Sequence, residues 1–270
     1  MPKPYVSIII TTFNRRVALA ELLAALVEQT YQDFEVIIIN DAGEKVNDVA
    51  GLYTELDITV IDLPENRYHV YARNKGIEKA TGELIMLMDD DDLPLPTHLE
   101  TMIEQMEGAD LVYSDVEIVN YQETNEKRTP INHHLFAYHF DVDAMRKFST
   151  YVPSGSVYRK SIHDEIGVFD ESVRNYWDWD FFLRVAEKHR IKRVPVASVL
   201  YEFSESGHNQ SKKLENMRYY LDRLITKHQL GNLPTKNVYL LLEEPDVKKR
   251  EAPSNRIWDG VTMPHSRLQI

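Results

Sequence analysis

The chain has 270 residues, of which 43% are hydrophobic and 27% charged, and this allows one large α/β domain or two modest ones with a sizeable core. Its formal net charge is −12, which argues against nucleic-acid binding through a general basic field. It contains no cysteine, so disulfides, thiolate zinc sites and cysteine nucleophiles are excluded.

Short apolar strands alternate with helices through the first part of the chain. Strands are predicted at 6–10, 36–39, 58–61, 84–88 and 111–119, and helices near 17–27, 46–56, 70–80 and 99–106. Asn14 is a candidate N-cap of the first helix, and Pro96 stands near the first turn of the fourth. This alternation predicts an α/β fold with a mostly parallel, Rossmann-like sheet covered by helices on both faces.

Polar residues follow three of these strands. They are the segment 11–14, Asp41 and the segment 89–92. Right-handed crossovers bring the carboxyl ends of parallel strands to one edge of the sheet, which is where ligands bind in open α/β folds. We therefore expect these three segments to converge on one site.

The second part of the chain is less regular. Segment 120–138 is polar and is predicted to be a loop or lid over the site, and 152–158 to be a turn that feeds a short strand. A helix is predicted at 178–189, a strand at 192–200 and a last long helix near 214–225 that ends by Gly231. We predict a single domain over 1–231 and an extended C-terminal tail over 232–270.

Four consecutive carboxylates directly follow the apolar strand at 84–88. They are Asp89, Asp90, Asp91 and Asp92. Adjacent carboxylates repel one another unless a positive group binds there, and a hard divalent cation that carries a phosphate group suits them. The alternative is a solvated acidic turn before a helix. We favour the metal site because the four residues directly follow a buried strand.

An ordered series of motifs gives the chain a family resemblance. The series comprises 6–15, 29–31, 34–41, 72–77, 80–83, the Asp-x-Asp-Asp pattern at 89–92 with Pro96, 167–171 and 178–184. In this order the motifs resemble inverting glycosyltransferases of family 2, which have the GT-A nucleotide-diphospho-sugar transferase fold. The resemblance covers about 5–211 and implies a nucleotide-binding half over about 1–119 and an acceptor and catalytic half over 120–231.

The resemblance implies roles for the acidic stretch. Asp91 would bind Mn²⁺ or Mg²⁺ that bridges the donor diphosphate, and Asp89 would contact the ribose or the metal shell. Asp90 stands at the variable place of the pattern, and because it is also acidic the ligand assignment is ambiguous by one residue. His208, in a polar loop after the last strand, would close over the diphosphate or the metal; a solvated loop histidine is the alternative.

The resemblance also implies a nucleotide site. Asp41 would accept a hydrogen bond from the uracil imide, although an aspartate that caps the turn before Gly43 is the alternative. Thr11, Thr12 and Asn14 would hold the nucleoside at the end of the first strand. Arg73, in the Ala-Arg-Asn motif, would reach the nucleotide or diphosphate; the alternative is a solvated arginine on a helix face.

Asp178 is implied to be the catalytic base that takes a proton from the acceptor hydroxyl. The family commonly has a glutamate before this aspartate, and Trp177 replaces it here. An N-terminal helix aspartate favoured by the helix dipole is the alternative. Asp180 is the rival carboxylate for the base.

Three residues are candidates for the acceptor side. Trp177 and Trp179 could stack on sugar faces, although core packing is the commoner role of a tryptophan. Gly155 lies in a loop that matches an acceptor-side loop of the family, and a plain turn explains it equally well.

The leading hypothesis is an inverting, metal-dependent glycosyltransferase that moves a sugar from a nucleotide sugar, foremost a UDP-sugar, to a glycan or other acceptor hydroxyl in polysaccharide or glycoconjugate synthesis. The alternative is a non-catalytic nucleotide-sugar binding module of a glycan-synthesis assembly. A nucleotidyltransferase ranks lower because no glycine-rich basic loop occurs near 11–16.

The expected location follows from segments that the sequence lacks. No signal-peptide pattern and no apolar run of roughly 20 residues occurs. We predict a cytoplasmic protein; a peripheral position at the inner face of the membrane and homo-oligomerisation stay open.

Overall fold

The computed structural model describes residues 3–124, 128–203, 214–236 and 238–269. The strands are β1 Val6–Thr12, β2 Phe34–Asn40, β3 Ile58–Asp62, β4 Leu84–Asp89, β5 Leu93–Pro94, β6 Leu111–Glu123, β7 Arg128–Phe136, β8 Val157–Arg159, β9 Ile191–Glu202 and β10 Asn255–Arg256. The helices are α1 Arg16–Val27, α2 Asn47–Ala50, α3 Tyr68–Lys79, α4 His98–Glu104, α5 Val142–Met145, α6 Ile162–Ile166, the 3-10 helix Glu171–Tyr176, α7 Trp177–Ala186, α8 Leu214–His228, α9 Val238–Leu242 and α10 Pro245–Lys248.

The strands form a single mixed sheet in the order β10-β9-β6-β8-β4-β1-β2-β3. The strands β4, β1, β2 and β3 are parallel to one another, as the alternation of strand and helix predicts. Strand β8 runs antiparallel between β4 and β6, while β9 is parallel to β6. The prediction of a mostly parallel α/β sheet is confirmed.

Both faces of the sheet are covered by helices. Along β1, Ile8 and Ile10 belong to the core cluster that includes the leucines of α1, and Ile9 belongs to the cluster on the opposite face. This division follows from the two-residue side-chain period of a strand. Helix α3 packs closely on that opposite face, because a Cβ at Gly76 would lie 2.4 Å from Cγ2 of Ile9.

Segment 120–138 is not a loop, and this prediction is wrong. Strand β6 continues to Glu123, and β7 pairs antiparallel with it, with a register shift between Asn120 and Tyr121. Strand β7 is polar and mostly exposed, so it lacks the apolar alternation that marks a half-buried strand. Pro130 is tolerated because β7 lies off the main strand path and pairs with β6.

Two smaller helix predictions also need correction. The helix expected at 46–56 is a single short helix, Asn47–Ala50, followed by turns. Asn14 does not cap α1: its φ is +57°, and its side-chain oxygen accepts a hydrogen bond from the backbone N–H of Glu44 at 2.8 Å. The cap position is held by Arg15, which makes no capping hydrogen bond.

The tail is extended in part, and it is docked on the domain. Strand β10 pairs in parallel with β9, and Trp258, Met263 and Leu268 pack against the core cluster beside α1. The short helices α9 and α10 lie within the segment that was predicted to be extended. In the described part of the chain, no helix combines the length and the apolar character needed to cross a membrane.

Candidate active site

A cleft of about 1440 Å³ opens at the carboxyl ends of β1, β2 and β4. The parallel register sets this edge, because Thr11 of β1 is opposite Asp89 of β4 and Thr12 is opposite Asn40 of β2. The predicted site residues that line the cleft are Thr11, Thr12, Asn14, Asp41, Arg73, Asp89, Asp90, Asp91, Trp177 and Asp178. The three polar segments therefore converge as the topology predicts.

The acidic stretch forms a compact carboxylate cluster. Asp89, Asp91 and Asp92 each offer one oxygen, and these three oxygens all lie within 4.8 Å of one another. The backbone N–H of Asp89 donates to Ser154 Oγ at 3.2 Å, and Asp92 Oδ1 accepts from the backbone N–H of Glu202 at 2.8 Å. The cluster is thus fixed from the second half of the chain.

The electrostatics of this cluster favour a bound cation. Burial, and then the charge of Asp91, raise the pKa of Asp90 to about 7 and hold the pKa of Asp92 well above its usual range. Asp90 Oδ2 and Asp92 Oδ2 are buried and have no hydrogen-bond partner among the described residues. Carboxylate oxygens are the hard donors that Mn²⁺ and Mg²⁺ take, so these residues fit such an ion.

Two arginines are bound to the cluster. Arg15 Nη1 donates to Asp91 Oδ2 and lies 3.5 Å from Asp90 Oδ1. Arg73 Nη2 donates to Asp89 Oδ1, and the guanidinium lies 4.2 Å from the centroid of the Trp177 ring. The side chain of Arg73 is 5% exposed, so it is a buried residue and not the solvated arginine of the alternative interpretation.

A third arginine, Arg128, contacts the backbone of the cluster. Arg128 donates to Glu21 Oε2 at 2.6 Å, to Glu202, and to the backbone oxygen of Asp91 at 2.7 Å. Its guanidinium also lies 4.8 Å from the ring centroid of Tyr121. Sequence reasoning missed Arg128 because it begins β7, within the segment that was predicted to be a loop. No local pattern marks a cation whose partners lie so far away in the chain.

Asp41 lies at the end of the cleft beside the turn that leads into α3. It is 4% exposed, and burial raises its pKa. Its Oδ1 accepts from the backbone N–H of Arg67 at 2.7 Å, and its backbone oxygen accepts from Asn66 Nδ2 at 3.1 Å. Asp41 therefore organises the 66–68 turn as well as lining the cleft.

Asp178 lines the cleft from the first turn of α7. Burial raises its pKa to about 6, with Asp89 acting in the same direction and Arg73 against it. A carboxylate with a pKa in this range, in the same cleft as the acidic stretch, suits proton abstraction near neutral pH.

The rival carboxylate is turned away from the cleft. Asp180 is fully buried, and it is bound by Arg184 at 2.8 Å, Lys227 at 2.7 Å and His228 at 2.8 Å. Burial raises its pKa, but the hydrogen bond from His228 and the charge of Arg184 outweigh this and lower it overall. Asp180 therefore links α7 to α8 through its contacts with Lys227 and His228.

Two of the acceptor candidates lie outside the cleft. Trp179 packs in the core with Leu183 and Leu224, and its Nε1 donates to the backbone oxygen of Met145 at 2.7 Å. Gly155 has a φ of +81° and is buried: its N–H donates to Leu87 O at 2.7 Å, and its oxygen lies 2.8 Å from His98 Nε2. Both residues are packed inside the domain and do not line the cleft.

Two candidates remain, Trp177 and His208. Trp177 does line the cleft, with its ring against Phe169 and under Arg73, and it is 6% exposed. His208 lies outside the described residues. Sequence reasoning also gave no role to several residues that line the cleft, which are Arg15, Asn66, Tyr68, His69, Tyr121, Arg128, Tyr201 and Glu202.

Comparison with solved structures identifies the class of fold. S. aureus TarS 1-349 in complex with UDP-GlcNAc matches with a TM-score of 0.65 at 20% identity, over 87% of this chain and 68% of TarS 1-349. The mannosyltransferase PcManGT from Pyrobaculum calidifontis in complex with GDP-Man and Mn²⁺ matches with a TM-score of 0.60 at 16% identity, over 86% and 66%. The fold is therefore GT-A. The chain covers only 39% of the longer TarS chain.

Sequence relatives then give the family. The family model described as Glycosyl transferase family 2 matches residues 7–167. YwdF of Bacillus subtilis (strain 168), an uncharacterized glycosyltransferase, is 56% identical over 97% of this chain and 98% of its own length. TuaG of the same strain, a putative teichuronic acid biosynthesis glycosyltransferase, is 28% identical over 50% of this chain and 54% of its own length. The chain belongs to glycosyltransferase family 2, and it is a transferase.

Proposed function

We propose that the protein is an inverting, metal-dependent glycosyltransferase that moves a sugar from a UDP-sugar to an acceptor hydroxyl. The observation that carries this proposal is the convergence of distant residues on one cleft. Asp89, Asp90 and Asp91 of the acidic stretch, Arg73 of α3 and Asp178 of α7 all line that cleft with Asp41.

The donor diphosphate would lie against the carboxylate cluster. Asp89, Asp91 and Asp92 would hold Mn²⁺ or Mg²⁺, which supplies Lewis-acid stabilisation of the leaving diphosphate. Arg73 would place a second positive charge there, and its Nη1 is a buried donor without a partner among the residues described. The cleft would therefore offer the donor diphosphate a metal ion and a guanidinium, which are the two kinds of positive group that phosphate oxygens bind.

The nucleoside would occupy the end of the cleft near Asp41. One carboxylate oxygen of Asp41 is held by Arg67, so the side chain is oriented before any ligand arrives. Thr11 and Thr12 lie beside it, and Thr12 Oγ1 is buried without a hydrogen-bond partner within the described ranges. TarS, which binds UDP-GlcNAc in its crystal structure, supports a uridine nucleotide, whereas the PcManGT complex with GDP-Man shows that the fold accepts another base.

Asp178 would act on the acceptor. Its carboxylate would take the proton of the acceptor hydroxyl while that oxygen attacks the anomeric carbon from the side opposite the diphosphate. The sugar is then transferred with inversion, and the nucleoside diphosphate leaves. Trp177 is nearly buried beneath Arg73, so its ring would position Arg73 and wall the cleft.

The acceptor class is proposed from the relatives. TuaG is a putative teichuronic acid biosynthesis glycosyltransferase, and this supports a role in polysaccharide or glycoconjugate synthesis, with a glycan hydroxyl as acceptor. The second candidate function is nucleotide-sugar binding without transfer. It is favoured by one observation, the tryptophan at position 177 where the family commonly has a glutamate.

Isothermal titration of UDP in the presence of Mn²⁺ tests the donor site. We expect metal-dependent binding to the wild-type protein and a loss of at least about tenfold in affinity in Asp91→Ala, because the variant removes a metal ligand. Asp180→Asn, which alters a carboxylate outside the cleft, should keep the affinity. If no nucleoside diphosphate binds, the proposed function is wrong; if one binds but no UDP-sugar is turned over with any acceptor, the binding-module alternative stands.

A further inference from the structure

Arg15 pairs with the carboxylate of Asp91, which the proposed cation would also need. Its Nη1 donates to Asp91 Oδ2, and Asp91 is one of the three residues whose oxygens cluster within 4.8 Å. A guanidinium and a divalent cation both carry positive charge and repel each other strongly at contact distance in a partly buried site. The two cations therefore compete for Asp91.

The surroundings of Arg15 distinguish it from Arg73. Arg73 is 5% exposed and is held under the Trp177 ring, so its position is set by packing. Arg15 is 36% exposed and lines the cleft at the start of α1. Its guanidinium pairs with the carboxylates of Asp91 and Asp90. An arginine with this freedom can give up one anion and take another in the same cleft.

We infer that Arg15 is a partner-exchanging residue of the donor site: it neutralises Asp91 until a divalent cation binds there, and it then pairs with the donor diphosphate. This inference rests on the proposed function. The exchange conserves charge pairing, since each positive group keeps an anionic partner before and after the donor enters. It also couples metal and donor binding, because the diphosphate offers the guanidinium its replacement partner.

The exchange predicts effects of opposite sign on two ligands. Arg15→Ala removes the competitor for Asp91, so Mn²⁺ alone should bind about fivefold or more tightly than to the wild type. The same variant removes a phosphate partner, so UDP at saturating Mn²⁺ should bind about 10-fold to 100-fold more weakly. Both affinities are measured by isothermal titration of the full chain.

Two variants serve as comparisons. Arg159→Ala removes an arginine that is 38% exposed and pairs with Glu83 at 3.0 Å, at the other end of β4 from the cluster, and it should leave both affinities unchanged. Arg15→Lys keeps the positive charge but loses the planar fork, so Mn²⁺ affinity should stay near the wild-type value while UDP affinity is partly retained.

The outcomes separate the inference from the function on which it rests. If the wild type binds no nucleoside diphosphate with Mn²⁺, the proposed function fails and the inference falls with it. If the wild type binds UDP but Mn²⁺ binding by Arg15→Ala is unchanged or weaker, the exchange is wrong. If Mn²⁺ binds more tightly but UDP affinity does not fall, Arg15 is only a counter-ion of the carboxylates, and the exchange is wrong again. Thermal unfolding of each variant confirms that it is folded.

Discussion

At the residue scale, Asp178 shows how burial raises the pKa of the carboxylate that we propose as the base. It lies partly buried in the first turn of α7, and burial raises its pKa to about 6. Arg73 acts against this shift and Asp89 adds to it. Asp178 is therefore ionised at neutral pH and still basic enough to accept a proton from a hydroxyl in the transition state.

The pKa of Asp178 predicts the pH dependence of transfer. The base must be ionised, so kcat/KM should fall by about tenfold per pH unit below about pH 6 and level off above it. Transfer is measured with the metal bound, and a cation at Asp89 favours the ionised form of Asp178, so about pH 6 is the upper bound for the start of this fall. Steady-state rates across pH 4.5–8, measured with a UDP-sugar substrate, give the profile.

The control for this profile is Asp178→Asn. The variant should lose about 100-fold to 10,000-fold in kcat and keep its affinity for UDP with Mn²⁺, because the proposed role of Asp178 is on the acceptor and not on the donor. Asp180→Asn, at a carboxylate turned into the core, should keep the acid limb. A wild-type acid limb that survives unchanged in Asp178→Asn would assign the base to another group.

At the scale of elements, β7 and Arg128 join parts of the molecule that are distant in the chain. Arg128 binds Glu21 of α1 and Glu202 of β9, and its Nη1 donates to the backbone oxygen of Asp91. Arg128 and Glu21 are almost fully buried, at 2% and 4% side-chain exposure. A buried ion pair is strongly destabilised when one partner is removed, because the other charge stays uncompensated.

Arg128→Ala should therefore lower the free energy of unfolding by about 3–5 kcal/mol. Urea unfolding followed by circular dichroism measures this change. Arg159→Ala, at a half-exposed arginine on the surface, should change it by no more than about 0.5 kcal/mol. A loss below about 1 kcal/mol in Arg128→Ala would show that the fold does not depend on this buried ion pair.

At the scale of the whole molecule, the C-terminal tail adds strand β10 to the sheet, and its last described residues reach the cleft. Arg256 of β10 pairs through two nitrogens with Glu117 of β6, and the Glu117 side chain is 1% exposed. His133 Nδ1 lies 3.1 Å from the same carboxylate, and the Trp258 ring packs on the His133 ring. Farther along, Leu268 lines the cleft. The tail is therefore part of the domain's packing.

Arg256→Ala should loosen this docking. Glu117 would lose its main partner within a buried site, and we expect a loss of about 1–3 kcal/mol, less than at Arg128 because the arginine itself is half-exposed. Limited proteolysis should then cleave near 249–256 sooner than in the wild type. Arg267→Ala, which breaks an exposed pair with Glu55, should be much less destabilising. Equal stability and equal cleavage in Arg256→Ala would show that apolar packing alone holds the tail.

The sequence by itself determined the fold class, the alternation of the first half and the place of the acidic stretch. These features depend on local pattern: the short, mostly apolar runs at 6–10, 36–39 and 84–88 are bounded by polar residues and favour buried strands, and parallel topology then brings their polar ends together. The family resemblance reached the same fold and the same enzyme class, and both are confirmed by the comparisons.

Only the tertiary structure decided which side chains meet. Strand β7 carries no apolar alternation because residues on both of its faces are exposed, so its existence and the partners of Arg128 depend on pairing with β6. Trp179 and Asp180 differ from their neighbours Trp177 and Asp178 by helix phase, and the packing of α8 against α7 decides which side of the helix faces the cleft. Contacts between residues distant in the chain leave no local trace in a single sequence, and the physical basis of this site lies in such contacts.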